Sequence, residues 1–93
     1  MVGKVRPCLV VSVSPRDTDR DLATLTIHTT SVRQTDWEVS VSCDFLKAGA
    51  FDVQNLLTMP RAISKFLRRL GVLNQSQMAS ISDRLTAWLG LIP

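Results

Sequence analysis

The sequence predicts a small β-rich α+β domain, an antiparallel and strongly curved sheet or small barrel with helices after it. Three observations carry that prediction. The first two thirds of the 93 residues fall into short β-branched or alternating runs, parted by polar turns with no long helix between them. The last third changes to helical spacing. A hydrophobic content of 45% places the chain among sequences that bury a core, and its length suits one domain, residues 1–93.

The elements follow in order. Arg6-Pro7 stands before the apolar run Cys8–Val13, behind a Gly3-Lys4 turn. Proline fixes its own φ and drives the preceding residue into extended backbone, so Arg6 is held at the mouth of a strand. Ser14 to Asp21 is a charged turn. Ala23–Ser31 is the second strand, with Leu25 and Ile27 on one face and Thr24, Thr26, His28 and Thr30 on the other, which suits solvent. Val32 to Asp36 turns the chain into a third strand, Trp37–Cys43. After the break Lys47-Ala48-Gly49-Ala50, a fourth runs from Phe51 to Met59 and stops at Pro60.

Pro60 suits the first turn of a helix, and Ile63, Phe66, Leu67 and Leu70 follow at helical intervals until Gly71. On that helix Arg61, Lys65 and Arg68 would share the opposite face. Asn74 with Gln77 forms a capping-box pattern, and Met78, Ile81, Leu85 and Trp88 make the apolar stripe of a final helix that Gly90 ends.

Charge and cysteine usage narrow the function classes. The net charge is +3, and residues 53–82 hold Arg61, Lys65, Arg68 and Arg69 without one acidic residue, which permits a polyanionic partner. No apolar run reaches membrane-span length, and the start has no signal-peptide core. Cys8 and Cys43 have no metal-ligand spacing and are expected to be reduced and buried, as in a cytoplasmic protein. The acids lie scattered over turns, with no paired-carboxylate pattern for a metal. Arg6, Thr30 and His28 could converge at one end of the sheet. A cation, a hydroxyl and an imidazole suit work on a phosphodiester, although a lone strand histidine more often serves packing.

Four segments also resemble the MazF/PemK (Kid) family, toxins of type II toxin–antitoxin modules. Gly3-Lys4-Val5-Arg6-Pro7-Cys8-Leu9-Val10-Val11-Ser12 is similar to that family's GxxRPxLVVS segment. His28-Thr29-Thr30-Ser31 falls where the family has an Ile-Thr-Ser strand end. Phe51 to Leu56, with Thr58-Met59-Pro60, resembles its strand with a central glutamine, and Leu70-Gly71-Val72-Leu73 with the Trp88-Leu89-Gly90-Leu91 ending completes the order. The family's usual first strand, ahead of the GxxRP turn, has no counterpart here. The basic residue and aspartate that some members carry before the glutamine do not carry over to Phe51-Asp52-Val53.

The resemblance implies an SH3-like small barrel of the CcdB/MazF kind, with a short helix and a C-terminal helix. It implies a homodimeric, cytoplasmic bacterial endoribonuclease (an mRNA interferase) that cuts single-stranded RNA without a metal or other cofactor. Attack of the 2′-hydroxyl would leave 2′,3′-cyclic phosphate and 5′-hydroxyl ends. By motif, Arg6 and Thr30 are the catalytic residues, and Lys4, Ser31 and Gln54 are candidates for contacting RNA. An antitoxin with a disordered acidic tail is the implied protein partner. Two alternatives stand beside it: a CcdB-like topoisomerase poison, and a catalytically inactive module that binds an antitoxin.

Overall fold

A computed structural model describes residues 6–91, apart from the side chains of residues 64–66. Its elements are β1 (Cys8–Val10), β2 (Leu22–Thr29), β3 (Glu38–Ser40), β4 (Ala50–Pro60), a 3-10 helix (Arg61–Phe66) and α1 (Gln75–Trp88). The four strands form one curled antiparallel sheet in the order β1-β2-β4-β3.

Strands β2 and β4 make the spine. Their register runs from Leu22↔Pro60 to Thr26↔Leu56, then jumps to Ile27↔Asp52, so Val53, Gln54 and Asn55 are extra residues in β4. Such a bulge sharpens the local bend and re-aims side chains. Thr26 satisfies it from across the sheet, its hydroxyl donating to the Asp52 carbonyl at 2.7 Å. The Val53 N–H turns the other way and donates to the Trp37 carbonyl at 3.0 Å, prolonging the β3–β4 pairing.

The core lies between the sheet and α1. Val39, Val41, Phe51, Val53, Leu73 and Ile81 form its buried centre, and Leu9, Val11, Trp37, Met78 and Leu85 pack against it. Helix α1 begins as its sequence predicts. The Asn74 side chain accepts from the Gln77 N–H at 2.8 Å, and the Gln77 side chain accepts from the Asn74 N–H at 2.9 Å. Of the predicted stripe, Ile81 is buried, Met78 and Leu85 are half-buried, and Trp88 lies exposed against Trp37 with ring centroids 5.4 Å apart.

Neither cysteine is fully buried as expected, Cys8 being exposed on the edge strand β1 and Cys43 half-buried. Two expectations about the elements are also corrected. On β2 the face of Thr26 and His28 is turned to the core: both are buried, as is Leu25 on the other face, and His28 meets the core residue Phe51 edge to face at 5.1 Å. Period-two alternation separates two faces without saying which is covered. Here the bulge supplies Thr26 with an acceptor, which removes the cost of burying its hydroxyl. The second correction concerns the predicted helix from Pro60 to Leu70. Pro60 ends β4, only a 3-10 helix follows, and Ile63, Leu67 and Leu70 are exposed. Arg68 falls beyond that helix, so the shared basic face does not form. With Ile63, Leu67 and Leu70 uncovered, the segment lacks the tertiary packing that sustains a short helix.

Candidate functional site

The β1–β2 register is Cys8↔Ile27, Leu9↔Thr26 and Val10↔Leu25. Continued back one step it sets Pro7 opposite His28, and the His28 N–H donates to the Pro7 carbonyl at 2.9 Å. Proline has no N–H to return a second bond, so the ladder stops there. The next step back sets exposed Arg6 against Thr29, one residue before Thr30. The dipeptide thus does what its chemistry predicts: a guanidinium stands where the sheet ends, on backbone tied to β2.

Thr30 follows the last residue of β2 and is exposed. It lies on a groove of about 590 Å³ whose other lining includes Val32, Ser40, Ser42, Cys43 and Gly49. Hydroxyls and apolar groups both line it. Ser31 is exposed beside Thr30, and its N–H donates to the Thr29 hydroxyl at 3.0 Å. Gln54 is exposed on the β4 bulge, its N–H donating to the Asp52 carboxylate at 3.0 Å. It sits four residues along β4 from Ala50, the partner of Thr29, so it joins Arg6 and Thr30 on neither the groove nor the strand end. Lys4 lies outside the described residues.

His28 does not take part as a free imidazole. It is buried beneath the strand end, its Nε2 has no hydrogen-bond partner among the described residues, and burial lowers its pKa. Gly49 explains how close that packing is. A β-carbon there would overlap the Thr29 carbonyl oxygen and lie 2.8 Å from His28 Cε1. The backbone of residue 49 therefore rests directly on the end of β2, one residue from Thr30.

Sequence reasoning passed over Ser40, Ser42, Gly49 and Glu38. The hydroxyls look like any exposed strand residues, and nothing local shows that β3 borders the same groove as Thr30. Gly49 carried a signal, since it stands in the break before β4, but the atoms it must approach lie twenty residues away in sequence. Among the described residues, no three His, Cys, Asp or Glu side chains cluster in a way that could hold a metal ion. No helix of the described residues is long and apolar enough to cross a membrane.

Comparison with solved structures gives the same architecture. A MazE–MazF complex from Deinococcus radiodurans matches with a TM-score of 0.77 at 18% identity, over 94% of this chain and 87% of that one. A second crystal form of that complex matches at 0.75 and 19% identity, over 91% and 82%. An endoribonuclease from a mycobacterial species matches at 0.72 and 23% identity, over 91% and 80%. No curated protein matches the sequence. The family model described as "PemK-like, MazF-like toxin of type II toxin-antitoxin system" matches residues 1–89. With nearly the whole length matched and the curled sheet and C-terminal helix in place, the chain belongs to the PemK-like, MazF-like toxins of type II toxin–antitoxin systems.

Proposed function

We propose that this toxin is an endoribonuclease that cuts single-stranded RNA at the end of the β1–β2 pair. The observation that carries the reading is the placement of Arg6 one register step from His28 and opposite Thr29, with Thr30 next along the chain on the rim of the groove. Family membership and the fold shared with a mycobacterial endoribonuclease support it.

In the reaction, the ribose 2′-oxygen forms a bond to the adjacent phosphorus as the bond from phosphorus to the 5′-oxygen breaks. The products are a 2′,3′-cyclic phosphate and a 5′-hydroxyl; the 2′-oxygen gives up its proton to solvent and the leaving 5′-oxygen takes one up from solvent, so protons balance. Negative charge grows on the phosphoryl oxygens as this happens. The Arg6 guanidinium offers paired, always-charged donors to those oxygens. The Thr30 hydroxyl donates to one of them and keeps the phosphate in line. His28 is buried and contributes to shape, not to proton transfer. Ser31 serves as an RNA contact beside the reacting group, Gln54 as a more distant contact on the β4 bulge, and Lys4 as a further contact ahead of Arg6.

The MazE–MazF complexes support an antitoxin as protein partner, and a disordered acidic tail would suit the basic stretch. In that stretch Arg61 is only loosely held by Asp21 at 3.7 Å. A homodimer is also part of the reading. Val10, Leu25 and Leu57 form a row across β1, β2 and β4, and Val10 and Leu57 are about half exposed. The proposed site of action is the bacterial cytoplasm.

The test is incubation with long single-stranded RNA in EDTA, with the ends mapped. Wild type should give discrete cuts bearing cyclic phosphate. Arg6→Ala and Thr30→Ala should lower the rate by about 10²–10³-fold, the usual loss when a donor to a developing oxyanion is removed. Undiminished cleavage by Arg6→Ala would refute the assignment.

A further inference from the structure

The segment that follows Thr30 is tied down by one carboxylate. Glu38, the first residue of β3, reaches back over the loop of residues 31–37. Both of its carboxylate oxygens accept from the Arg33 N–H at 3.0 Å, and Oε1 accepts from the Thr35 N–H at 2.9 Å. Between those donors stands Gln34, with φ at +58°, in the left-handed region that side chains with a β-carbon disfavour. Such a residue stays there only when its surroundings over-determine it. Here the N–H groups on both sides of it converge on a single anion.

The rest of the loop closes on the same point. The Glu38 N–H donates to the Thr35 carbonyl at 3.3 Å, and the Trp37 N–H donates to the Thr35 hydroxyl at 3.3 Å. The Arg33 N–H first, and then that of Thr35, hold the Glu38 carboxyl below the usual carboxylate range. The loop is built around the ionised form. Its place matters because Thr30 and Val32 line the groove from this side, while Ser40 and Ser42 line it from the segment that Glu38 begins. Glu38 thereby joins two parts of the groove wall that are otherwise separate stretches of chain.

We propose that Glu38 is a positioning residue for RNA recognition. By clamping Arg33 and Thr35 it fixes the loop that carries Val32 into the groove lining beside Thr30, and so sets how tightly and at which sequences RNA is held. The chemistry stays with Arg6 and Thr30. This inference rests on the ribonuclease reading above. Unpaired RNA is recognised by bases splayed into shaped surfaces. A wall that shifts therefore changes binding and site preference before it changes bond cleavage.

The test compares wild type with Glu38→Gln, which keeps the shape but turns one acceptor into a donor, and with Glu38→Ala. Three quantities are read: amide hydrogen exchange at Arg33 and Thr35, kcat and KM on a short RNA, and the pattern of cuts in a long one. In Glu38→Gln both amides should exchange faster. KM should rise about tenfold, the scale of one lost charge-assisted bond, or the cuts should move to other sequences, with kcat within about threefold of wild type. Glu38→Ala should go further in the same direction. A folded Glu38→Gln protein with wild-type KM and cut pattern would overturn the proposal. So would variants that lose active protein without moving either, since Glu38 would then only support the fold. Wild type that leaves every RNA intact defeats the ribonuclease reading itself, and the two failures are thus told apart.

Discussion

Replacing Gly49 by alanine should damage the site from beneath. The new β-carbon would overlap the Thr29 carbonyl oxygen, lie 2.8 Å from His28 Cε1 and 3.0 Å from the Thr29 carbonyl carbon. Two of those three atoms are backbone in the central strand, and the third belongs to a ring packed against Phe51. None can rotate away. Relief has to come from a shift of β4's beginning against the end of β2. Overpacking of this kind costs about 1–3 kcal/mol. Taking about 2 kcal/mol, a domain of this size should melt roughly 8–16 °C lower. The same shift moves Thr30, and a displacement near 1 Å at a reacting group can cost about 10²-fold in rate. Gly71→Ala is the comparison, because the atoms nearest a β-carbon there, at 2.6–2.9 Å, belong to the half-buried Phe45 side chain and not to strand backbone. Thermal unfolding by circular dichroism and RNA cleavage below the transition read both effects. Gly49→Ala with the melting temperature and cleavage rate of wild type would show that the packing of residue 49 on β2 is not what fixes the strand end.

Two further perturbations test the core and the buried imidazole. Ile81 is 1% exposed at the centre of the α1–sheet contact, so Ile81→Ala should cost about 2–5 kcal/mol by urea titration. A loss under about 1 kcal/mol would mean that α1 contributes little to the core. The burial of His28 lowers its pKa, so the folded protein resists a proton that the unfolded chain accepts near pH 6.5. Above that pH both states are neutral and this group adds no pH dependence. As pH falls below it the unfolded state gains the proton first, and stability declines until the folded pKa is passed. The urea midpoint of wild type should therefore drop between pH 7.5 and 5.5, and that drop should shrink in His28→Gln. Equal drops in the two proteins would assign the effect to another group.

Much of the fold was legible because its causes are local. The Asn74–Gln77 capping box and the Met78/Ile81/Leu85 spacing produced α1 within a residue or two of the expected limits. Pro7 held Arg6 at a strand mouth because the constraint lies in the peptide unit itself. The alternating runs gave four strands in the right places, although β1 and β3 are shorter than their apolar runs. By contrast, the extent of those strands depends on neighbours. Val13 is 86% exposed and lies beyond the end of β1, however β-prone its sequence.

What only the tertiary structure decided concerns the site above all. The sequence could order Arg6, Thr30 and Gln54 along the chain, but it could not say which meet. The three-residue bulge in β4 resets the register against β2 and leaves Gln54 away from the strand end. It also lets the Thr26 face of β2 turn to the core, since the Asp52 carbonyl is the acceptor for the buried Thr26 hydroxyl. The groove beside Thr30 takes its walls from β3 and the Gly49 break, and Glu38 closes its loop by bonds to Arg33 and Thr35. Local chemistry set the helix, the strands and the place of Arg6. Long-range pairing set the inner face of the sheet and the company Thr30 keeps, because a register is a property of two strands and cannot be written in either one.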